Sequence, residues 1–260
     1  MTDSPNAELA SELLTIAEEE VASAVGREMI ERRSAGFSWE TKSTSTDVVT
    51  EIDTWAEGAI VEAITSRRPN DGFLGEEGSD TPGTTGVRWV IDPVDGTTNL
   101  LYDLSGYNVS IGAELNGETL AGAVYDPVRA ELFSAALGQG ASRNGEPISV
   151  SGQESLSHAL VATGFAYNAE RRQQQASSLV EILPIIRDIR RLGAAAIDLC
   201  AVACGRVDAY YELDTKPWDR SAGVLIATEA GAIVTEGELT IAAAPGISDD
   251  LRALLDRTVT

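Results

Sequence analysis

An apolar segment that continues directly into an acidic turn constrains this chain more than any other feature. Val87–Ile91 predicts a buried strand, and the sequence from Trp89 onward is WVIDPVDGTTN. A turn at the proline can bring Asp92, Asp95 and the Val94 carbonyl toward one point. Such an all-oxygen environment suits Mg²⁺ or Ca²⁺. An EF-hand is excluded, because its alternating oxygen ligands and terminal glutamate are missing.

The same turn leads into a predicted helix start. Free backbone amides at that start, here those of Gly96 and Thr97, attract an anion such as phosphate. Asp-Pro and Asp-Gly are also common turn dipeptides, and either of them alone would indicate only a turn. Taken together, the residues of this stretch favour a cation site next to an anion site at the end of a strand.

Three other acidic segments are candidates for the same site, and each also has a plain structural interpretation. Glu76 and Glu77 follow a glycine in a loop, so one is expected to face inward and the other solvent. Asp219 falls in the first turn of a helix that Pro217 opens, where an acid can simply be a capping residue. Asp53 lies at a helix entrance, where an N-cap role would also explain it.

Composition excludes several classes of function. The 41 Asp and Glu against 19 Lys and Arg give a formal net charge of -22, which would repel a phosphate backbone, so no nucleic-acid partner is expected. His158 is the only histidine, which argues against His-ligated zinc, and no nucleophile elbow, Walker A loop or dinucleotide-binding turn is present. Cys200 and Cys204 are expected to be buried reduced thiols. The class of function that is not excluded is acid–base or metal chemistry through carboxylates.

The hydrophobic pattern changes near residue 150. The first part predicts helices followed by an antiparallel meander, with helices at 7–33 and 53–68 and strands at 87–91, 109–115, 119–125 and 131–135. The second part alternates strands and helices in an α/β manner, at 159–163, 170–182, 194–204, 207–213 and 217–231. We expect two packed sub-domains, residues 1–150 and 151–260, with the active site between them.

Neither export nor membrane insertion is expected. Met1–Ala10 lacks the basic and apolar regions of a secretory signal. No run in the sequence approaches the roughly 18 apolar residues that span a bilayer. We therefore expect a cytoplasmic protein with no membrane partner.

The four acidic segments together resemble the inositol monophosphatase family of Mg²⁺-dependent, Li⁺-sensitive phosphatases, over residues 42 to about 231. The resemblance implies an α+β or α/β fold, a layered αβαβα sandwich of the inositol monophosphatase and sugar phosphatase type. It also implies a homodimer that hydrolyses a phosphate monoester with a metal-activated water and two or three Mg²⁺ per active site. Lys42 resembles a family lysine near the active-site entrance.

The resemblance also implies which residues would hold the metals. The first metal would be bound by Glu76, Asp92 and the Val94 carbonyl. The second would be bound by Asp92, Asp95 and Asp219.

Catalytic and phosphate-binding roles follow from the resemblance in the same way. Thr97 paired with Asp53 would orient and deprotonate the attacking water, and Glu76 would hold a further metal-bound water. Gly96 and Thr97, with Asp95 beside them, would hold the phosphate.

The substrate implied by the resemblance is inositol 1-phosphate, hydrolysed to inositol and phosphate. In inositol-hydrolysing members the matching residues line the ring pocket, which implies Gly193, Ala194, Ala195 and Glu212 here. A carboxylate that faces vicinal hydroxyls accepts two hydrogen bonds and so selects polyols. Alternatives in the superfamily are histidinol phosphate, fructose 1,6-bisphosphate and adenosine 3',5'-bisphosphate. A noncatalytic cation-binding or interaction protein is the alternative from a different class.

Overall fold

The computed structural model describes residues 5–259, so Met1–Ser4 of the polar start and Thr260 lie outside the described residues. The chain opens with a long helical stretch that covers the helix predicted at 7–33. It consists of α1 (Pro5–Thr15), a π-helical segment (Ile16–Ala22) and α2 (Ser23–Ala35). A β-hairpin follows, and it leads into a third helix. These elements are β1 (Trp39–Thr41), β2 (Val48–Thr50) and α3 (Glu51–Arg67).

An eight-stranded sheet is built from the chain between residues 72 and 147. Its strands are β3 (Gly72–Gly75), β4 (Asp80–Thr81), β5 (Val87–Asp95), β6 (Asn108–Leu115), β7 (Glu118–Asp126), β8 (Glu131–Ala136), β9 (Ala141–Arg143) and β10 (Glu146–Pro147). The spatial order is β10-β9-β8-β7-β6-β5-β3-β4, and β3 with β5 is the parallel pair. A short helix, α4 (Thr97–Leu101), follows β5 directly. The predicted antiparallel meander is β5 to β8.

A five-stranded sheet is built from later residues, in the order β12-β11-β13-β15-β14. Its strands are β11 (Leu160–Thr163), β12 (Asp188–Arg190), β13 (Ala209–Leu213), β14 (Ile233–Thr235) and β15 (Leu239–Ala243). Four helices accompany it, namely α5 (Ala169–Ile182), α6 (Ala195–Ala203), α7 (Pro217–Glu229) and α8 (Ser248–Thr258). The first three strands run parallel, and β15 is antiparallel to both of its neighbours.

These elements stack in five layers. The N-terminal helices pack on one face of the large sheet, with α1 against β7 and α3 against β5. On its other face lie α6 and α7, which pack on each other, and α6 also contacts β13 and β15 of the small sheet. The outer layer is formed by α5 and α8, which contact each other. The predicted αβαβα sandwich is therefore confirmed.

The entrance of α3 differs in detail from the prediction. Thr50, not Asp53, is the N-cap, because the Thr50 hydroxyl accepts the Ile52 N–H at 3.1 Å. Asp53 is the third helical residue and accepts the Thr50 N–H at 2.9 Å. Thr50 and Asp53 form a reciprocal capping box, which fixes the Asp53 carboxylate at the helix start.

Several strands have no counterpart in the predicted pattern, among them β3, β4 and β12. The β1–β2 hairpin is also missed, because all three β1 residues are exposed, so no alternation of apolar and polar residues marks the strand. The C-terminal elements after residue 231 are missed as well.

Among the cysteines, Cys200 is fully buried and Cys204 partly buried, and both thiols are free. None of the helices in residues 5–259 combines the length and apolar character that crossing a membrane requires.

Candidate active site

Strand β5 delivers two aspartates to one edge of the large sheet. The strand is buried except at Arg88, and its pairing with β6 shifts register between Asp92 and Asp95. Such a bulge changes the direction of the side chains around it. Gly96 follows with φ 90°, and a Cβ there would lie 2.7 Å from the Gly106 carbonyl oxygen. Only glycine therefore allows the chain to leave the strand and start α4 at this point.

Asp95 is held by the start of a helix from the other half of the chain. Its carboxylate accepts the Ala195 N–H at 3.2 Å and the Ala196 N–H at 2.8 Å, both at the N-terminus of α6. The Asn108 side-chain amide donates a further hydrogen bond at 3.0 Å. Burial raises the pKa of Asp95 to about 7, while these hydrogen bonds act in the opposite direction.

Asp92 lies at the bottom of the site, with 2% of its surface exposed. Its carboxylate accepts the Val94 N–H at 3.1 Å. Burial raises the pKa of Asp92 well above its usual range, and the negative charges of Glu76, Asp95 and Asp219 raise it further. These four carboxylates therefore interact, although they come from three separate segments of the chain.

Glu76 and Glu77 both contact Lys42 in the loop of the β1–β2 hairpin. The Lys42 ammonium donates to Glu76 at 2.9 Å and also to Glu77. The Glu77 side chain is only 9% exposed, so the prediction that one of the two acids faces solvent is wrong. The hairpin covers both acids and supplies one cation between them. Burial would lower the pKa of Lys42, but the two glutamates outweigh it and raise that pKa.

Asp219 reaches the site from the first turn of α7. Pro217 is the first helical residue, and the Asp219 carboxylate accepts the Lys216 N–H at 2.6 Å. Burial raises the pKa of Asp219 to about 7, with Asp95 and Glu76 adding to the effect and the Lys216 N–H opposing it. Asp219 therefore caps the start of α7 and lies beside the other acids at the same time.

Thr97 connects β5 to α3. Its hydroxyl lies 2.8 Å from Asp53 Oδ1, to which it donates, and 3.0 Å from the Val94 carbonyl oxygen. Asp53 is 1% exposed, and burial raises its pKa while hydrogen bonds from Thr50 and Thr97 oppose the rise. The arrangement connects a hydroxyl at the site to a buried carboxylate that is a potential proton acceptor.

One cavity of about 510 Å³ brings the predicted residues together. Its lining includes all of them except Asp53, which is buried behind Thr97, namely Glu76, Asp92, Val94, Asp95, Gly96, Thr97, Gly193, Ala194, Ala195, Glu212 and Asp219. The first part of the chain supplies Glu76, Asp92 and Asp95, whereas Asp219 comes from α7, and residues of α6 and β13 also line the cavity.

Glu212 lies on the side of the cavity formed by the small sheet. Tyr210 donates its hydroxyl to the Glu212 carboxylate at 2.9 Å, and burial raises the pKa of Glu212 to about 7. A Cβ at Gly164 would lie 2.0 to 2.2 Å from the carboxylate atoms of Glu212, so glycine is needed there to leave it room. Sequence reasoning missed Gly164, because it lies 48 positions before Glu212 and no local motif joins them.

Several cavity residues have no role assigned to them from the sequence. Aromatic and cationic side chains line the cavity beside Glu212 and Asp219, namely Phe165, Tyr167, Arg191, Lys216 and Trp218. Trp218 lies between Pro217 and Asp219 in the predicted first turn of α7, so the sequence itself places it beside a candidate acid. Phe165 and Tyr167 lie in an irregular segment between β11 and α5, where periodicity carries no signal.

A second cavity, of about 580 Å³, lies along the side of α7. Its two arginines are already paired, Arg88 with Glu114 at 2.7 Å and Arg220 with Glu236 at 3.2 Å. None of the predicted site residues lines it. The 510 Å³ cavity is therefore the candidate active site.

Comparison with known proteins agrees with the geometry. The family model described as "Inositol monophosphatase family" matches residues 10–254 of the chain. The chain belongs to this family. Inositol-1-monophosphatase SuhB of Mycobacterium tuberculosis is 45% identical over 233 residues, which cover 83% of this chain and 80% of that protein. Nus factor SuhB of Escherichia coli K12 is 42% identical over 197 residues, 74% of this chain and 73% of that one.

A crystal structure of the extragenic suppressor protein suhB from Bartonella henselae has the same fold. It superposes with a TM-score of 0.89 at 31% identity, covering 96% of this chain and all of that one (100%). Membership in the inositol monophosphatase family supports phosphatase activity and a phosphate monoester as the substrate.

The donor set of this inositol monophosphatase family member fits a hard divalent cation. Four carboxylates and the Val94 carbonyl offer oxygen atoms only, which Mg²⁺ prefers over nitrogen or sulfur ligands. Their mutual effect on the pKa of Asp92 indicates that a cation there would relieve repulsion. Within the part of the chain that the structure describes, no three acidic, histidine or cysteine side chains are already arranged as a closed metal cluster. Glu76 is paired with Lys42, so the carboxylates must adjust to enclose an ion.

Proposed function

We propose that this protein is a Mg²⁺-dependent phosphatase that hydrolyses inositol 1-phosphate to inositol and phosphate. The single observation that carries the proposal is the position of the Thr97 hydroxyl, 2.8 Å from the buried Asp53 carboxylate. It adjoins Asp92 and Asp95, whose segment runs directly into α4. A protein that only binds cations has no need of a hydroxyl and a proton acceptor at this point.

Glu76, Asp92, Asp95, Asp219 and the Val94 carbonyl would hold two or three Mg²⁺. Bound Mg²⁺ would neutralise charge on the phosphate oxygens and lower the pKa of a water. A phosphate monoester carries two negative charges, which these acids alone would repel. The acids are therefore useful to catalysis only as ligands.

Thr97 and Asp53 would prepare the attacking water. The water gives a proton to the Thr97 oxygen as Thr97 passes its own proton to Asp53, and the water oxygen then forms the new bond to phosphorus. The bond from phosphorus to the inositol oxygen breaks, the inositol oxygen takes a proton from solvent water, and Asp53 then releases its proton to solvent. Burial raises the pKa of Asp53, which makes it a better proton acceptor than an exposed aspartate.

Gly96 and Thr97 would bind the phosphate through their backbone amides, next to Asp95. The substrate ring would lie between these residues and Glu212, along Gly193, Ala194 and Ala195. The Glu212 carboxylate, which already accepts the Tyr210 hydroxyl, would accept hydrogen bonds from vicinal ring hydroxyls. That preference favours inositol 1-phosphate over histidinol phosphate, fructose 1,6-bisphosphate and adenosine 3',5'-bisphosphate.

A phosphate-release assay over these four substrates tests the proposal. We expect the highest kcat/KM with inositol 1-phosphate, no release when EDTA replaces Mg²⁺, and inhibition by added Li⁺. A much higher kcat/KM for histidinol phosphate would refute the substrate while leaving the mechanism in place. No release from any of the four with Mg²⁺ present would refute the phosphatase.

The alternative from a different class is a noncatalytic interaction protein. The name of the Escherichia coli relative, Nus factor SuhB, favours testing this alternative. The net charge of -22 opposes direct contact with a nucleic-acid backbone, so we propose that any such role here would go through a protein. If Thr97→Ala loses phosphate release while its melting temperature stays unchanged, the activity belongs to this protein, and the noncatalytic alternative is refuted.

The homodimer and the cytoplasmic location stay predictions. Sedimentation velocity of the purified chain measures the first, and fractionation of the source cells measures the second.

A further inference from the structure

Glu57 is a buried acid of α3 that lies outside the cavity. It is 4% exposed and follows Asp53 by one helical turn. Burying a carboxylate is costly unless hydrogen bonds compensate the lost water. The two Glu57 oxygens have such bonds, because Oε2 accepts the Glu77 N–H at 2.8 Å and Oε1 accepts the Ser79 N–H at 2.9 Å.

Both donors belong to the turn that carries Glu76. On the side of the sheet, the Glu76 N–H donates to the Ile91 carbonyl at 3.1 Å, in the strand residue before Asp92. Within the turn, the Gly75 N–H donates to the Ser79 carbonyl at 2.6 Å. The backbone at Glu76 is therefore held to β5 by its own amide and to α3 by the amide of the next residue.

Gly75 provides independent evidence that this contact is close. A Cβ at Gly75 would lie 2.3 to 2.8 Å from the three carboxyl atoms of Glu57. Real Cβ contacts are not that short, so only glycine leaves room for the carboxylate against this backbone. The glycine before Glu76 therefore serves the packing of Glu57 as well as the flexibility of the turn.

We infer that Glu57 is a positioning residue, which holds the turn at Glu76 in register with Asp92 and thereby sets the affinity of the site for Mg²⁺. The inference rests on the proposed function, since it concerns the same metal ligands. Helix α3 would then position both the proposed proton acceptor and one of the proposed metal ligands. Asp53 of α3 contacts Thr97, and Glu57 one turn later orients the segment that supplies Glu76.

Glu57→Gln tests this role with almost no change in size. A glutamine oxygen can accept one of the two backbone amides, but its NH₂ group would face the other N–H, and two donors cannot bond. The turn would lose one of its two connections to α3. Glu62→Gln is the matched control, because Glu62 is an exposed glutamate on the same helix.

The measurement is Mg²⁺ binding to the substrate-free protein by isothermal titration calorimetry, with melting in EDTA and in Mg²⁺. We expect the Kd for Mg²⁺ to rise by about tenfold or more in Glu57→Gln, as for other residues that orient metal ligands, and to stay unchanged in Glu62→Gln. In phosphate release, the Mg²⁺ concentration for half-maximal rate should rise while kcat at saturating Mg²⁺ stays within a few-fold.

Two results separate failure of the inference from failure of the proposed function. A lower melting temperature in Glu57→Gln with an unchanged Kd for Mg²⁺ would mean a purely structural role and would overturn the inference. Absence of Mg²⁺ binding by the unmodified protein would instead overturn the proposed function. If Glu57→Gln does not fold, Glu57→Asp replaces it, since the shorter acid keeps the charge but cannot reach both amides. The same Kd increase is expected, and an unchanged Kd would overturn the inference.

Discussion

The Thr97 hydroxyl lies 2.8 Å from the Asp53 carboxylate, although 44 positions separate the two residues. The contact joins the segment after β5 to the first turn of α3, and α3 packs against β5 itself. Thr97 also lies within 3.0 Å of the Val94 carbonyl, one of the proposed metal ligands. The proton path and the proposed cation site therefore share one short segment of chain.

Replacing Thr97 by Ala should lower kcat much more than it changes Mg²⁺ affinity. The variant removes the hydroxyl that would pass a proton to Asp53, a contribution of about 10²- to 10⁴-fold for general acid–base catalysis. Steady-state kinetics at saturating Mg²⁺, together with calorimetric Mg²⁺ titration, measure both quantities. Thr98→Ala is the matched control, since it removes a neighbouring hydroxyl. A large loss of Mg²⁺ affinity with kcat retained would move Thr97 to a binding role.

Asp92→Asn should abolish turnover while the fold persists. Asparagine keeps the oxygen that accepts the Val94 N–H but removes the charge proposed to bind both metals. Because burial and three neighbouring acids raise the pKa of Asp92, removal of its charge should leave the melting temperature in EDTA equal or higher. Differential scanning calorimetry and phosphate release provide the readouts. Activity close to that of the unmodified protein would contradict the assigned role.

Millimolar Mg²⁺ should raise the melting temperature. A ligand that binds only the folded state at 100 times its Kd stabilises that state by about 2.7 kcal/mol. For a chain of this size the gain corresponds to roughly 5 to 10 °C. Asp219→Asn should reduce the gain, because it removes one proposed ligand, whereas Asp249→Asn, at the start of the distant helix α8, should leave it unchanged. No shift in the unmodified protein would count against the cation site.

Stability in EDTA should fall as pH rises from about 4 to 8. Asp95, Glu212 and Asp219 have pKa values raised from 3.8, 4.5 and 3.8 to about 7 in the folded state, chiefly by burial. An acid with a raised folded-state pKa binds more protons when folded, so its stabilisation is complete below its ordinary pKa and is lost as pH passes through 7. Urea unfolding at pH 5 and pH 8 measures the change.

Glu212→Gln isolates one contribution to this pH dependence. Glutamine cannot ionise, so the loss of stability between pH 5 and pH 8 should be smaller than in the unmodified protein. Glu118→Gln, an exposed position, should leave it unchanged. An equal loss in Glu212→Gln would show that the Glu212 pKa is not raised by folding.

Glu212→Gln should also change substrate preference. A neutral amide retains one acceptor oxygen, so KM for inositol 1-phosphate should rise several-fold. For glycerol 2-phosphate, a monoester without the ring, KM should change little. Equal changes for both substrates would remove Glu212 from ring recognition.

The acidic segment at the end of β5 was predictable because its chemistry is local. A buried apolar strand, two aspartates, a glycine and a threonine lie within eleven residues, and the bulge, the left-handed Gly96 and α4 follow from their order. Asp219 was predictable for the same reason, since Pro217 opens its helix. The expectation that one acid of the Glu76–Glu77 pair faces solvent was wrong because the covering group, Lys42, lies 35 positions before Glu77 in a hairpin without an apolar pattern.

The sequence by itself determined most helices and strands and the acids of the cavity, because periodicity and short motifs act over a few residues. Through those motifs the chain resembles the inositol monophosphatase family, and that resemblance implied the αβαβα layers. Only the tertiary structure decided that the α6 amides hold Asp95, that Gly164 gives Glu212 its room, and that Glu57 binds the turn at Glu76. These contacts join residues from 20 to about 100 positions apart. They form because packing α3 and α6 on opposite faces of one sheet brings their polar groups to buried positions where each needs a hydrogen-bond partner.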